Sequence, residues 1–305
     1  KDFISIADVT REEIDEIFRL SIELKNNIKK ETEHHLLKDK ILAMIFEKPS
    51  LRTRVTFETG MVQLGGHAIY LSPADIQLGK RESIPDAARN LSRWVNCIMA
   101  RTFAHSTVTE LAEYATVPVI NALSDKEHPC QILADFLTIQ ERKGRLKDLK
   151  IVYIGDSNNV CNSMILFSAL YGLNLTVASP QGYEPITAIL SEATRVKTNG
   201  FSLTVTNDPV SAATDADVLY TDVWASMGQE SEKEKRLTVF KDYQVNTKLL
   251  SHTHPDSIVL HCLPAHRGEE ITDEVIDGNH SVVLDEAENR LHTEKALLVT
   301  LLKAV

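Results

Sequence analysis

Apolar and polar positions along the chain alternate between a helical period and short continuous runs. Thr10-x-x-Glu13 has the form of a capping box, and Ile14, Ile17, Phe18, Ser21, Leu24 and Ile28 then recur at helical spacing. A first amphipathic helix is expected there. Strand-like runs follow at Ile41–Phe46, His67–Leu71, Val95–Ala100 and Val117–Asn121. A second set is Ile151–Ile154, Leu173–Ala178, Leu203–Thr206, Val218–Thr221, Ile258–His261 and Val282–Leu284. Helical patterns separate them: Thr53–Leu64, Ile84–Trp94, Thr107–Tyr114, Gln131–Arg142, Val160–Leu170 and Ile186–Lys197. Alternation of this kind predicts an α/β protein with parallel sheets covered by helices.

The charged segment 141–148 separates the two sets and is the expected boundary, in a chain whose 305 residues suit about two domains. The apolar pattern from Glu286 to Leu302 is expected to be a helix that returns to the first half. Residues 157–183 carry no charge until Glu184, a length that raises a membrane span. Asn158, Asn159, Asn162, Asn174 and Pro180 within it favour a buried helix, a break at Gly172 and a strand instead. No membrane partner is expected.

Charge narrows the function. Thirty-three Lys and Arg against 43 Asp and Glu leave a net charge of −10, which speaks against a general nucleic-acid binder. Any bound anion needs locally concentrated arginines. The four cysteines, Cys97, Cys130, Cys161 and Cys262, form no C-x-x-C pair, so no metal site is expected. A reducing cytosol is the expected compartment, and no apolar h-region follows Lys1-Asp2-Phe3-Ile4. Nicotinamide, P-loop and zinc-protease signatures are missing from the sequence.

Candidate chemistry gathers at strand ends, where open α/β sheets bind ligands. Ser50-Leu51-Arg52-Thr53-Arg54 follows the Ile41–Phe46 run and opens a helix. Free backbone N–H groups, hydroxyls and two guanidinium forks suit a phosphate; a helix start with surface arginines is the plainer alternative. Arg101 ends the third run, and His128-Pro129-Cys130-Gln131 opens a helix after the fourth. In the second half Gly155-Asp156-Ser157-Asn158-Asn159, Asp222 to Gly228, His261-Cys262-Leu263-Pro264 and Asp285 to Arg290 follow strand-like runs. Carboxylate, amide, hydroxyl and thiol groups suit a zwitterionic ligand, although most free cysteines are simply buried small hydrophobes.

The motifs F-E-K-P-S-L-R-T-R (46–54), D-I-Q-L-G-K-R-E-S (75–83), M-A-R-T-F (99–103) and H-P-C-Q (128–131) resemble the aspartate/ornithine carbamoyltransferase family. So do G-D-S-N-N-V (155–160), D-V-W-A-S-M-G (222–228), H-C-L-P-A-H-R (261–267) and E-A-E-N-R (286–290), and the resemblance covers essentially the whole chain. S-M-G and H-C-L-P point to its ornithine branch. The family motif often reads S-T-R-T-R; Leu51 stands at the first threonine here and offers only its backbone N–H.

The resemblance implies two doubly wound parallel-sheet domains: a carbamoyl phosphate domain at 1–145, with the helix 287–305 packed back on it, and an amino-acid domain at 146–286. It implies transfer of a carbamoyl group from carbamoyl phosphate to the side-chain amine of L-ornithine, with no cofactor. Carbamoyl phosphate would meet Ser50, Leu51, Arg52, Thr53, Arg54, Arg101, His128, Gln131 and Arg290. Gln77 would reach a neighbouring subunit's site in a homotrimer with shared active sites. Ornithine would meet Asn159, Asp222, Ser226, Met227, Cys262 and Leu263. Arg101, His128, Cys262 and Arg290 carry the catalytic roles. Putrescine, aspartate or an acylornithine is the alternative acceptor; aspartate calls for cations where this chain has D-V-W-A-S-M-G, and putrescine has no carboxylate for Asn159.

Overall fold

The computed structural model describes residues 1–225 and 230–303. It divides into two compact units: residues 1–134 with 288–305, and residues 135–287. Both divisions fall inside helices, Pro129–Lys143 and Val283–Lys303. The charged segment 141–148 therefore closes the first of these helices.

The first unit holds a four-stranded sheet of β1 (Ile41–Phe46), β2 (His67–Leu71), β3 (Cys97–Arg101) and β4 (Val119–Leu123) in the order β2-β1-β3-β4, all parallel. β1 and β3 are buried nearly throughout, as continuous apolar strands covered on both faces must be. Their register pairs Phe46 with Arg101, which brings the two carboxyl ends level. The expected capping box opens the helix Arg11–Lys29: Thr10 Oγ1 accepts from the Glu13 N–H at 3.3 Å, and Glu13 Oε2 accepts from the Thr10 N–H at 2.9 Å. The helix Val283–Lys303 contributes its last turns to this unit. It packs closely on the helix Leu51–Gln63, because Gly60 leaves room for Lys295: a Cβ at Gly60 would stand 3.1 Å from Lys295 Cγ.

The second unit holds β5 (Lys150–Ile154), β6 (Asn174–Ala178), β7 (Ser202–Thr206), β8 (Val218–Thr221) and β9 (Ile258–Leu260) in the order β7-β6-β5-β8-β9, again all parallel. Its core joins Val152, Ile154, Leu219 and Val259 to Trp224, Phe240 and Val275. The uncharged stretch from 157 forms the buried helix Asn159–Tyr171, closed by Gly172 in the left-handed region (φ +67°). Among the described residues no helix is long and apolar enough to cross a membrane.

One expected strand is not formed. Val282–Leu284 reads as a short apolar run, but Val283 already opens the final helix, with Asp285 and Glu286 in its first turn. Only an isolated bridge, Ser281 to Val259, continues the sheet there. Acidic residues favour a helix N-terminus through the dipole and the free N–H groups, and here they outweigh the β-branched pair.

Candidate functional site

In the first unit three strand ends and the returning helix converge on one hydroxyl. Ser50 caps the helix Leu51–Gln63, its Oγ accepting from the Thr53 N–H at 3.3 Å. Thr53 is buried, and its Oγ1 lies 3.5 Å from Arg101 Nη1 and 3.3 Å from Arg290 Nη2. Arg290 Nη1 donates to Gln131 Oε1 at 2.7 Å. Arg101, His128, Gln131 and Arg290 are all buried. Burial first, and then the charges of Arg290, Arg101 and Arg52, push the His128 imidazole well below its usual pKa. His128 is therefore neutral near pH 7, a hydrogen-bond partner rather than a fourth cation.

A buried guanidinium needs a counter-charge. Glu294, one turn after Arg290 and equally buried, supplies it: Arg290 Nε and Nη2 donate to Glu294 Oε1 at 2.9 and 2.5 Å. Glu294 was missed by the motif reading, although the Arg290-to-Glu294 spacing of four residues is the ordinary signal for a pair on one helix face. Arg52 stands in the first turn of the same helix as Thr53 and acts on His128. Leu51 is exposed. Arg54 is engaged elsewhere, its Nε donating to Glu58 at 3.0 Å and its guanidinium stacked 3.9 Å over the Tyr70 ring. Gln77 is exposed, in the left-handed region at the end of the helix Pro73–Ile76 (φ +44°), and does not join the cluster.

In the second unit the ends of β5, β8 and β9 meet at Asp222. β5 leads into Gly155, whose φ of +137° turns the chain toward Asp156. Asn158 caps the next helix, its Oδ1 accepting from the N–H groups of Val160 (2.9 Å) and Cys161 (3.2 Å). Its Nδ2 donates to Asp222 Oδ2 at 2.6 Å. Asp222 Oδ1 accepts from the Val223 N–H at 2.8 Å and the Cys262 thiol at 3.0 Å. Burial, then the Asp222 carboxylate, push the Cys262 thiol well above its usual pKa. Cys262 is thus a protonated donor. Leu263 follows with φ +56°, strained for a branched side chain, and its N–H donates to His261 Nδ1 at 2.9 Å. His261 Nε2 in turn faces Glu270 Oε1 at 3.0 Å.

Asn159 is the first residue of the helix, and the neighbouring Asn158 is the side chain that bonds Asp222. The N-cap preference for asparagine marks it in the sequence. Arg236 was also missed. It is buried, donates to Asp156 Oδ2 at 2.7 Å and to the Trp224 carbonyl at 2.8 Å, and so braces the segments that carry Asn158 and Asp222. Nothing but the long charged run 230–236 signalled it. Ser226 and Met227 lie outside the described residues.

Residues 1–141 match the family model described as the carbamoyl-P binding domain of aspartate/ornithine carbamoyltransferase, and residues 147–301 match its Asp/Orn binding domain. The chain belongs to the aspartate/ornithine carbamoyltransferase family. It is 55% identical to the ornithine carbamoyltransferase of Anoxybacillus flavithermus and 56% identical to that of Carboxydothermus hydrogenoformans, in both cases over 99% of this chain and at least 96% of the relative. Among solved structures, the ornithine carbamoyltransferase from Pyrococcus furiosus superposes with a TM-score of 0.95 at 51% identity, over 100% of this chain and 98% of that one. The two sheets of this family member thus coincide with its two family domains.

Proposed function

We propose that the protein transfers the carbamoyl group of carbamoyl phosphate to the side-chain amine of L-ornithine, giving L-citrulline and phosphate. The observation that carries this reading is the buried Thr53 hydroxyl under the forks of Arg101 and Arg290, with neutral His128 and Gln131 in the same cluster. Such a cluster suits a phosphorylated carbonyl compound: cations for the phosphate, neutral donors for the carbonyl oxygen. Ser50, the Leu51 N–H, Arg52 and Thr53 hold the phosphate at the helix N-terminus. Arg54, tied to Glu58, adds to the positive field rather than to contact. Thr53, Arg101 and His128 stabilise the oxyanion that forms when the amine nitrogen bonds to the carbamoyl carbon, with Arg290 adding positive charge. Gln131 binds the carbamoyl NH₂. Collapse of the tetrahedral intermediate breaks the carbon–oxygen bond, and the leaving phosphate takes the proton that the attacking nitrogen sheds.

The amine must first lose a proton, which for a lysine-like group costs about 4.6 kcal/mol at pH 7. Protonated Cys262 cannot accept it, so the proton passes to solvent, and Cys262 and the Leu263 carbonyl orient the neutral amine. Asp222 pairs with the α-ammonium, and Asn158 with Asn159, Ser226 and Met227 completes recognition of the amino-acid end. Holding both substrates in line supplies much of the acceleration.

The same reading places the protein in the cytoplasm, in arginine metabolism, as a homotrimer in which Gln77 serves a neighbouring site. Leu51, Val55 and Val62 on one helix and Ile69 on β2 are exposed apolar side chains of the first unit, which supports burial against another copy. Citrulline formation assayed with ornithine, aspartate, putrescine and N-acetylornithine tests the proposal. Turnover confined to ornithine is expected; preference for another amine overturns the assignment. Light scattering at three times the chain mass is expected for the assembly.

A further inference from the structure

A second cluster of ligating groups lies on the turn after His261, outside the residues assigned to either substrate. His266, Glu269 and Glu270 each offer one atom, and the three atoms lie within 4.8 Å of one another. Glu270 is fully buried, and its Oε2 has no hydrogen-bond partner among the described residues. His266 is partly exposed at its ring, yet its Nδ1 is buried, likewise without a hydrogen-bond partner, 3.5 Å from Glu269 Oε2. Two buried polar atoms with no hydrogen-bond partner among the described residues are costly for a protein to leave uncompensated.

We propose that His266, Glu269 and Glu270 form a site for a divalent transition-metal cation that accepts mixed nitrogen and oxygen ligands, such as Zn²⁺. One imidazole and two carboxylates form a donor set that Zn²⁺ takes, with water completing a tetrahedron. The site is braced as metal sites are. Glu270 Oε1 faces His261 Nε2 at 3.0 Å and accepts the His266 N–H at 2.6 Å, which fixes the carboxylate and leaves Oε2 for the metal. The Glu269 N–H donates to the His266 carbonyl at 2.8 Å, so one tight turn carries all three groups. Lys233 Nζ stands 2.8 Å from Glu269 Oε1 and is half-exposed. It opposes the cation by charge and competes for one carboxylate, while Oε2 remains turned to His266.

A second triad, Asp222, His261 and Cys262, can also hold a metal, so the test must separate the two. Co²⁺ is titrated into the full-length protein carrying Cys262→Ser, with absorption and calorimetry as readouts. The expected result is a d–d spectrum without thiolate-to-cobalt charge transfer. Affinity should fall at least about tenfold in His266→Ala and in Glu269→Gln, and rise in Lys233→Met. His266 and Glu269 are partly exposed, so these variants keep the fold. No Co²⁺ binding in the Cys262→Ser protein, or binding that His266→Ala and Glu269→Gln leave unchanged, overturns the site.

Discussion

Replacing Arg290 with methionine separates its electrostatic role in the fold from its role in the reaction. The side chain keeps much of its volume but leaves Glu294 as a buried carboxylate with no cation, where the native pair makes two hydrogen bonds of 2.9 and 2.5 Å. Breaking a buried pair on one side costs about 3–5 kcal/mol, and the lost bonds to Thr53 and Gln131 add about 0.5–1.5 kcal/mol each. Burial already raises the Glu294 carboxyl above its usual pKa, and Arg290 is the leading influence that pulls it back down. In the variant that restraint is gone. The folded protein then binds a proton that the unfolded chain releases, so stability falls as pH rises from the ordinary glutamate range through the raised pKa, and levels off above it. At about 1.4 kcal/mol per pH unit, the loss is spread over several units. Urea unfolding followed by circular dichroism at pH 5, 7 and 8 measures it. A midpoint lower than wild type by at least about 1 M at pH 8, and by distinctly less at pH 5, is expected. Arg290→Met with Glu294→Gln should recover most of the stability and none of the citrulline formation. An equal deficit at pH 5 and pH 8, or a double variant no more stable than the single, would falsify the pairing argument.

Three further outcomes follow from the same geometry. Arg52→Ala should weaken carbamoyl phosphate by ten- to a hundredfold or more, the loss of roughly 1.5–3 kcal/mol for a charged hydrogen bond, with an unchanged melting temperature; normal kinetics in a folded variant remove Arg52 from the phosphate. Asp222→Asn should cost roughly 3–5 kcal/mol in kcat/KM for ornithine while calorimetric binding of carbamoyl phosphate is unchanged; lower thermal stability with normal ornithine kinetics makes Asp222 a structural cap. Lys295 is buried against His34 and Gln63 with no carboxylate partner among the described residues, and burial lowers its pKa from 10.5 to about 8. The unfolded chain then binds more protons than the folded one between about pH 8 and 10.5, so wild type should gain stability relative to Lys295→Met across that window; parallel curves refute it.

What the sequence makes legible is set by how far along the chain each rule reaches. Period and capping act over a few residues, and they predict β1, β2 and the helix at Arg11–Lys29 within a residue or two. β3 and β4 end at Arg101 and Leu123 rather than Ala100 and Asn121, because pairing with neighbours, not local propensity, decides where a strand stops. The Asn158 contact has the same origin: two asparagines stand side by side in the motif, and only the cap geometry says that the side chain of Asn158 reaches Asp222. Glu294 was readable from its spacing to Arg290 and was passed over because it belongs to no motif. The contact that organises the first cluster was not readable by any local rule. Thr53 and Arg290 are 237 residues apart, and neither spacing nor composition connects them. The family resemblance named both residues as ligands of one substrate, but it said nothing of the buried carboxylate that lets a cation stand there. A motif preserves the groups that touch a ligand. The charge balance that permits those groups is distributed over the fold, and it emerges only when the β3 end and the returning helix are placed together.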